Sequence, residues 1–242
     1  MARIGIIGSE GRMGQALAQA IAAAGHDTAG GVDKGGDVAQ LADNSDALLD
    51  FTAPAALEAN LHAAIGAGIP ILVGTTGLEE RHHAAIDSAA LAIPVLQTGN
   101  TSLGVTLLAH LVREAAKRLG AGWDIEVLEM HHRMKVDAPS GTALLLGEAA
   151  AEGRGVDFYG AESPARHGNS GARPEGSIGF ASLRGGTVAG EHTVIFAGEH
   201  ERLTLAHSAE DRMIFAHGAV RGAAWLIGRP AGRYAMGDVL SL

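Results

Sequence analysis

The stretch Glu129-Met-His-His-Arg-Met-Lys-Val-Asp-Ala-Pro-Ser-Gly-Thr-Ala143 places two adjacent histidines, an arginine, a lysine and a Ser-Gly-Thr turn within fifteen positions. Histidine titrates near neutral pH and works as a proton donor or acceptor, while lysine and arginine offset negative charge. Taken singly, these residues say little. Lys135 or Arg133 alone reads as solvated surface charge, and His131 or His132 alone as a strand residue satisfied by a neighbour. Their conjunction points to a small, multiply negative substrate. A metal site is not expected. Adjacent strand residues face opposite ways, so at most one of the two histidines faces a given pocket. Their spacing is unlike a helical H-x-x-x-H, and the chain has no cysteine.

The elements that must position these groups follow from the flanks. Residues 124–130 alternate polar and apolar side chains, the period of a strand. Residues 142–151 are rich in strong helix formers. Between them Pro139 cannot continue a ladder, and Ser140 is a good helix N-cap. The spacing predicts a strand ending in His131-His132, a loop carrying Arg133 and Lys135, and a helix opening at Ser140-Gly141-Thr142. An opening helix presents unpaired backbone N–H groups and partial positive charge, which is an anion site.

A second stretch with chemistry lies at the start. The apolar strand Arg3–Ile7 runs into Gly8-Ser9-Glu10-Gly11-Arg12-Met13-Gly14, an alanine-rich helix follows over 15–24, and a strand over 27–33 ends in Asp33. Strand, glycine turn, helix, strand and acid in this order form the dinucleotide-binding arrangement. Gly8 permits the tight turn, Gly11 lets backbone approach a pyrophosphate, and Gly14 lets the helix pack closely. Asp33 stands about 20 residues past the last glycine, where a carboxylate accepts from ribose hydroxyls. The spacing G-x-x-G-x-x-G departs from the strict motif, and a plain βαβ unit with packing glycines is the alternative. The acid favours the dinucleotide. Asp33 suits NADH, whereas Lys34 and Arg12 are placed to meet the extra phosphate of NADPH, so either cofactor, with weak preference, is expected.

Residues 34–46 read as a polar, glycine-rich connection. Further strands are expected at 47–51, 70–74 and 94–97, each leading into a helix, which makes a doubly wound parallel sheet. Ligands sit beyond the carboxyl ends of such strands. Phe51-Thr52 and Gly74-Thr75-Thr76-Gly77 fall there and are assigned to cofactor, and Asn100–Gly104 falls at another such end. After Leu119 strand-like runs dominate, at 125–131, 177–184, 190–197 and 201–207, with one clear helix after Ser140. They imply a second, α+β domain with a mostly antiparallel sheet, helices on one face and a partner subunit on the other. Residues 160–176, with Arg166, His167 and Arg173, read as a mobile loop, and a final helix over 211–227 is expected to return to the first domain. The expected division is 1–101 with 213–242 for dinucleotide and 102–212 for substrate and oligomerisation.

Composition narrows the class. The 242 residues are 47% hydrophobic and 19% charged, as in globular proteins. A net charge of −9 argues against a nucleic-acid partner. The absence of cysteine removes disulfides and thiolate nucleophiles and fits a reducing cytoplasm. No signal-peptide pattern and no apolar run of about 20 residues is present, so a soluble, cytoplasmic protein without a membrane partner is expected.

The stretch Glu129–Ala143 resembles the signature E-x-H-H-x-x-K-x-D-A-P-S-G-T-A of the dihydrodipicolinate reductase family. Asp50-Phe-Thr52, Gly74–Gly77, Asn100-x-Ser-x-Gly104, Gly179-Phe-Ala181, Gly190-Glu-His192 and Arg212-x-x-Phe215 are similar to that family as well, so the resemblance spans nearly the whole chain. It implies a two-domain reductase of lysine and diaminopimelate biosynthesis, in which NADH or NADPH reduces a cyclic imine dicarboxylate. It further implies His131 as proton donor and acceptor and Lys135 as proton donor. His132, Ser140, Gly141 and Thr142 would bind the substrate carboxylate, with Asn100 and Ser102 on the substrate side. Ser9, Met13 and Arg212 would join the cofactor contacts, and the chain would form a homotetramer. Two other classes stand beside it. One is another two-domain NAD(P)-dependent enzyme acting on amino acids; thiol-dependent semialdehyde enzymes are excluded by the missing cysteine. The other is a non-catalytic NAD(P)-binding regulator, which would carry a damaged His131 or Lys135; both are intact.

Overall fold

The computed structural model describes residues 1–163 and 166–242. The chain divides into two compact units, Met1–Leu103 with Arg212–Leu242, and Gly104–Asp211. In the first, strands β1 (Arg3–Ile7), β2 (Asp27–Val32), β3 (Ala47–Asp50), β4 (Ile71–Val73) and β5 (Pro94–Gln97) alternate with helices α1 (Arg12–Ala23), α2 (Val38–Asp43), α3 (Leu57–Ala67) and α4 (Glu80–Ala90). Helix α5 (Leu103–Leu119) leads into the second unit. There follow β6 (Asp124–His131), α6 (Gly141–Arg154), α7 (Phe158–Ala161), β7 (Glu162–Ser163), β8 (Ile178–Arg184), β9 (Gly190–Ala197) and β10 (Arg202–Ala209). The chain then returns through α8 (Met213–Leu226), β11 (Gly232–Tyr234) and α9 (Met236–Val239) to complete the first unit.

The first sheet is parallel throughout, in the order β11-β5-β4-β3-β1-β2. Its inner strands β1, β3, β4 and β5 are largely apolar because both faces are covered, whereas the edge strands β2 and β11 are not. Ile4, Ile6, Leu49, Leu72 and Leu96 pack with α1, α8 and α9 on one side. Ile7, Leu48, Ile71, Val73 and Val95 pack with α2, α3 and α4 on the other. This is the Rossmann-like, doubly wound sheet. Two elements escape the sequence reading. The expected connection at 34–46 contains α2, whose N-cap Asp37 accepts from Gln40 N–H at 3.0 Å. The strand β11 adds a sixth member by pairing with β5. Both are so short that no hydrophobic period develops.

The second sheet runs β10-β9-β6-β8-β7. β6–β9 and β9–β10 are antiparallel, while β6–β8 and the short β7–β8 are parallel. The parallel pairing needs a crossover, and the chain between β6 and β8 supplies it with α6. Helices α5 and α6 cover one face, packing Val112, Leu146 and Ala150 onto Ile125, Val127, Phe180 and Phe196. The opposite face carries Leu128 and Ile195, half-buried, and Leu183, exposed. Of the expected loop at 160–176, Pro164 and Ala165 lie outside the described residues. Beyond them Arg173 donates to Asp124, Glu126 and the carbonyl of Ile125, and Arg166 to Glu126, which straps the loop to the start of β6.

Helix α8 lies so close to the start of α5 that the Thr101 hydroxyl donates to the Phe215 carbonyl at 2.7 Å. A Cβ on Gly218 would overlap the Thr101 carbonyl oxygen, which is backbone and cannot turn aside. Gly218→Ala is therefore expected to lower unfolding free energy by about 3 kcal/mol. Gly66→Ala, inside α3 with no neighbour within 4 Å of the added methyl, should raise it by about 0.5 kcal/mol. Urea unfolding of both variants measures this, and a Gly218→Ala midpoint equal to wild type would refute the close approach.

Candidate active site

The candidate residues fall into two groups, one in each unit. In the first unit the chain leaves β1 at Gly8, whose φ of +91° is left-handed and favours glycine. Gly8 and Ser9 donate their N–H groups to the Val32 carbonyl at 2.8 and 3.3 Å, binding the loop to β2. A Cβ on Gly14 would strike the backbone of Gly8 and Ser9, and one on Gly74 would enter the Phe51 ring. Asp33 Oδ2 accepts from the Ser9 hydroxyl at 2.7 Å and from Glu10 N–H at 2.9 Å, so one carboxylate oxygen fixes the loop. Helix α1 begins at the glycine N-cap Gly11, with no side chain on its first N–H groups. A cavity of about 360 Å³ opens beside it, lined by Gly8, Gly11, Arg12, Met13, Phe51 and Arg212 among others. Bare helix N–H groups, two arginines and glycines that leave backbone uncovered suit the phosphates of a dinucleotide. These residues fit the cofactor.

Behind the cavity wall sits a group that the sequence reading left without a role. Asp50 is completely buried at the end of β3. Its Oδ1 accepts from Thr52 N–H (3.1 Å), Thr52 hydroxyl (2.6 Å) and Thr75 hydroxyl (3.2 Å), and Oδ2 from Asn60 (2.9 Å). The Thr75 hydroxyl in turn accepts from Thr52 N–H at 3.0 Å. Burial pushes the Asp50 carboxyl up, and these donors pull it back only in part. Asp50 thus ties the Thr52 and Thr75 loops together. Lys34 and Thr76 are exposed, and Asn100 accepts from Ser102 N–H through its side chain at 2.9 Å, forming the turn before α5.

In the second unit, one face of β6 changes character along its length. Ile125 and Val127 belong to the core, and Glu129 and His131 continue the same face as polar residues. Glu129 is 1% exposed. Arg184 grips it with a fork, Nη2 to Oε1 at 2.7 Å and Nη1 to Oε2 at 2.8 Å. His131 Nδ1 lies 2.6 Å from Oε2, and Ser140 N–H donates to Oε1 at 3.3 Å. Burial pushes the Glu129 carboxyl up, but Arg184, Ser182 and His131 together outweigh it and hold it at about 2. Opposite Glu129 on β9 stands His192, buried, with Nε2 2.9 Å from the Ser140 hydroxyl. That hydroxyl also accepts from Ala143 N–H at 3.1 Å as the N-cap of α6. Burial, and secondarily the charge of His131, pushes the His192 imidazole down to about 4.

Of the other expected residues, Lys135 has Nζ paired with both oxygens of Asp137, at 2.9 and 2.8 Å, which holds the Asp137 carboxyl below its ordinary range. His132 sits in the turn after β6, where its carbonyl accepts from Lys135 N–H. Ser140 is buried with its hydroxyl already shared, Gly141 is exposed at the first position of α6, and Thr142 is half-buried. Arg184 and His192 carry no spacing signal that separates them from ordinary strand residues. The fork and the cross-strand pairing appear only once β6, β8 and β9 lie side by side.

The model for "Dihydrodipicolinate reductase, N-terminus" matches residues 2–101, and that for "Dihydrodipicolinate reductase, C-terminus" matches residues 104–240. The chain belongs to the dihydrodipicolinate reductase family. A 4-hydroxy-tetrahydrodipicolinate reductase of Zymomonas mobilis is 51% identical, covering 99% of this chain and 97% of the relative. One from Rhodopseudomonas palustris is 50% identical with the same coverage. Among solved structures, a dipicolinate-bound dihydrodipicolinate reductase from Paenisporosarcina superposes with a TM-score of 0.74 at 22% identity over 97% of both chains, a likeness of fold. Members of the dihydrodipicolinate reductase family are NAD(P)H-dependent oxidoreductases, and the glycine cradle of the first unit has the matching chemistry.

The polar layer makes stability depend on pH. The unfolded chain takes up a proton on His192 at about 6.5 and the folded chain only at about 4. Stability is therefore full above pH 6.5 and falls as pH drops toward 4, by about 3 kcal/mol for this group. His207, pushed down by burial, adds in the same direction. Glu129 acts lower, its contribution being complete above pH 4.5 and lost toward 2. Unfolding free energies measured from pH 7 to 4 should fall in wild type and flatten in His192→Gln; an unchanged slope would acquit His192.

Proposed function

We propose that this member of the family converts 4-hydroxy-tetrahydrodipicolinate to tetrahydrodipicolinate and water, with one hydride from NADH or NADPH and one proton, in lysine and diaminopimelate biosynthesis. The observation that carries the reading is full-length identity of about half to relatives of that activity, with the polar layer around Glu129 and His131 in place.

When bound, the reduced nicotinamide supplies the hydride. Gly8, Gly11, Gly14 and Arg12 hold its diphosphate against the opening of α1, with Ser9 and Met13 in the same loop. Asp33, with Lys34 next to it, meets the ribose end. Phe51, Thr52, Gly74, Thr75 and Thr76 would complete the cofactor contacts, and Arg212 would add charge. On the substrate side, hydride addition leaves negative charge that a proton must quench. His131 gives and takes that proton, and its position beside an ionised carboxylate suits an acid that cycles. The N-terminus of α6 at Gly141-Thr142 receives a substrate carboxylate, with His132 as a further contact. Ser140 serves that subsite as its N-cap, since its hydroxyl is spent on Ala143 N–H and His192. Lys135 offsets the dianion and donates a proton, exchanging Asp137 for the substrate as its partner.

We further assign a homotetramer built on the second sheet. Support comes from the face of that sheet opposite α5 and α6, where Leu128 and Ile195 are half-buried and Leu183 is exposed. The reaction belongs in the cytoplasm, where reduced nicotinamide nucleotides are regenerated; among the described residues no helix is long and apolar enough to cross a membrane.

The direct test is oxidation of NADH and NADPH in parallel, with the condensation product of aspartate semialdehyde and pyruvate as substrate and pyridine-2,6-dicarboxylate as inhibitor. Substrate-dependent oxidation blocked by the dicarboxylate is expected. Nucleotide binding without turnover would overturn the reading in favour of a regulator. Lys135→Ala should lower kcat by roughly 10²–10⁴-fold and leave nucleotide Kd unchanged; equal loss of both would remove Lys135 from the substrate side. Asp33→Ala should raise the nucleotide KM roughly tenfold, the weight of a lost charged hydrogen bond. An unchanged KM would end its ribose role.

A further inference from the structure

We propose that Glu129, locked by Arg184, is the positioning residue that holds His131 with its proton on Nδ1, so that Nε2 is the atom exchanging a proton with substrate. The proposal rests on the reading of His131 as proton donor and acceptor. It starts from the 2.6 Å separation of His131 Nδ1 and Glu129 Oε2. Glu129 is an anion at working pH, and an ionised carboxylate only accepts. The hydrogen in this contact therefore belongs to the imidazole. Neutral imidazole otherwise divides between two tautomers, one of which places a hydrogen on Nε2 where a base is needed.

The carboxylate cannot turn out of this contact. Both of its oxygens are held by the planar Arg184 fork, and Oε1 also accepts from Ser140 N–H. On the other edge of the ring, a Cβ on Gly190 would stand 3.0 Å from His131 Nε2, so glycine spares that nitrogen a side chain packed against it. The His192 ring packs edge-on against His131 with centroids 5.1 Å apart, which limits rotation of the imidazole. Arg184 does a second thing. Its Nη2 donates to the Asp137 carbonyl at 2.7 Å, so the guanidinium that fixes the histidine also fixes the loop carrying Lys135. That contact belongs to Arg184 itself and does not pass through the Glu129 carboxylate.

The test begins with the unaltered enzyme. Two-bond ¹⁵N–¹H spectra of protein labelled in histidine, with His131 identified by its loss in H131Q, report which nitrogen is protonated in the neutral ring. Protonated Nδ1 and bare Nε2 are expected; the reverse would overturn the proposal whatever the enzyme's activity. In the second arm, E129Q should lower kcat by roughly a hundredfold, within the range of general acid–base catalysis, with the KM for nucleotide unchanged. Adding E129Q to H131Q should then cost no further turnover, because Glu129 acts through His131. A further loss in the double variant, or an E129Q kcat equal to wild type, would overturn it. Should E129Q fail to fold, the spectra of the unaltered protein still decide. Full turnover in H131Q would instead overturn the reading of His131, and the tautomer result would separate the two failures.

Discussion

A carboxylate removed from water must be answered by donors, and the second unit is arranged around one such demand. Glu129 is 1% exposed in the middle of a sheet. Its desolvation would make the charged form costly without a partner. Arg184 comes from β8, Ser140 from the start of α6, and His131 from two residues along the same strand. Three elements are thus drawn to one point by a single ion. The guanidinium is decisive: Arg184 is the largest of the influences that hold the carboxyl at about 2 despite burial.

The first unit contains the same device with the opposite electrostatic outcome. Asp50 is as deeply buried, and four hydrogen bonds reach it, but every donor is a neutral hydroxyl, amide or backbone N–H. Its carboxyl moves up where that of Glu129 moves down. The contrast separates two uses of a buried acid. Asp50 faces no titrating partner, and its work is to tie two loops at adjacent strand ends, for which directional bonds suffice. Glu129 sits against the imidazole that we assign to proton transfer, and a carboxylate held in place there fixes the orientation of the ring. What separates them is the guanidinium and the imidazole that only Glu129 meets.

How much of this was legible depends on the range of the interaction. The glycine loop, Asp33 and the strand–loop–helix about Ser140 are local, and their chemistry is written in consecutive residues. The parallel sheet is legible because uninterrupted apolar strands followed by helices have few other arrangements. Helix α2 and strand β11 were not, since six and three residues are too few for a period to show. The partners of Glu129 and Asp50 were not legible for a different reason. Arg184 is 55 positions from Glu129, and Thr75 is 25 from Asp50, so only the register of the strands brings them together. Ser140 shows the limit within a motif that was read. Its place as N-cap follows from sequence, but the burial of its hydroxyl between Ala143 N–H and His192 follows from β9 lying beside β6.

That last arrangement explains why the anion subsite and the proton-transferring histidine that we propose sit on regular elements instead of loops. Ser140 binds β6 through its N–H, which donates to Glu129, and β9 through its hydroxyl, which meets His192. The first turn of α6 is therefore registered on two strands, to within the tolerance of a hydrogen bond. The rest of the helix is held by Leu146, Ala149 and Ala150 on the apolar half of the same sheet face. Apolar packing supplies the stability of the unit, and the polar half uses that rigidity to set the distance between the helix N-terminus and His131. A loop-borne histidine would have to be ordered at the moment of reaction. Here the ordering is done on folding, which is the condition for a group that must meet a developing charge without reorganising.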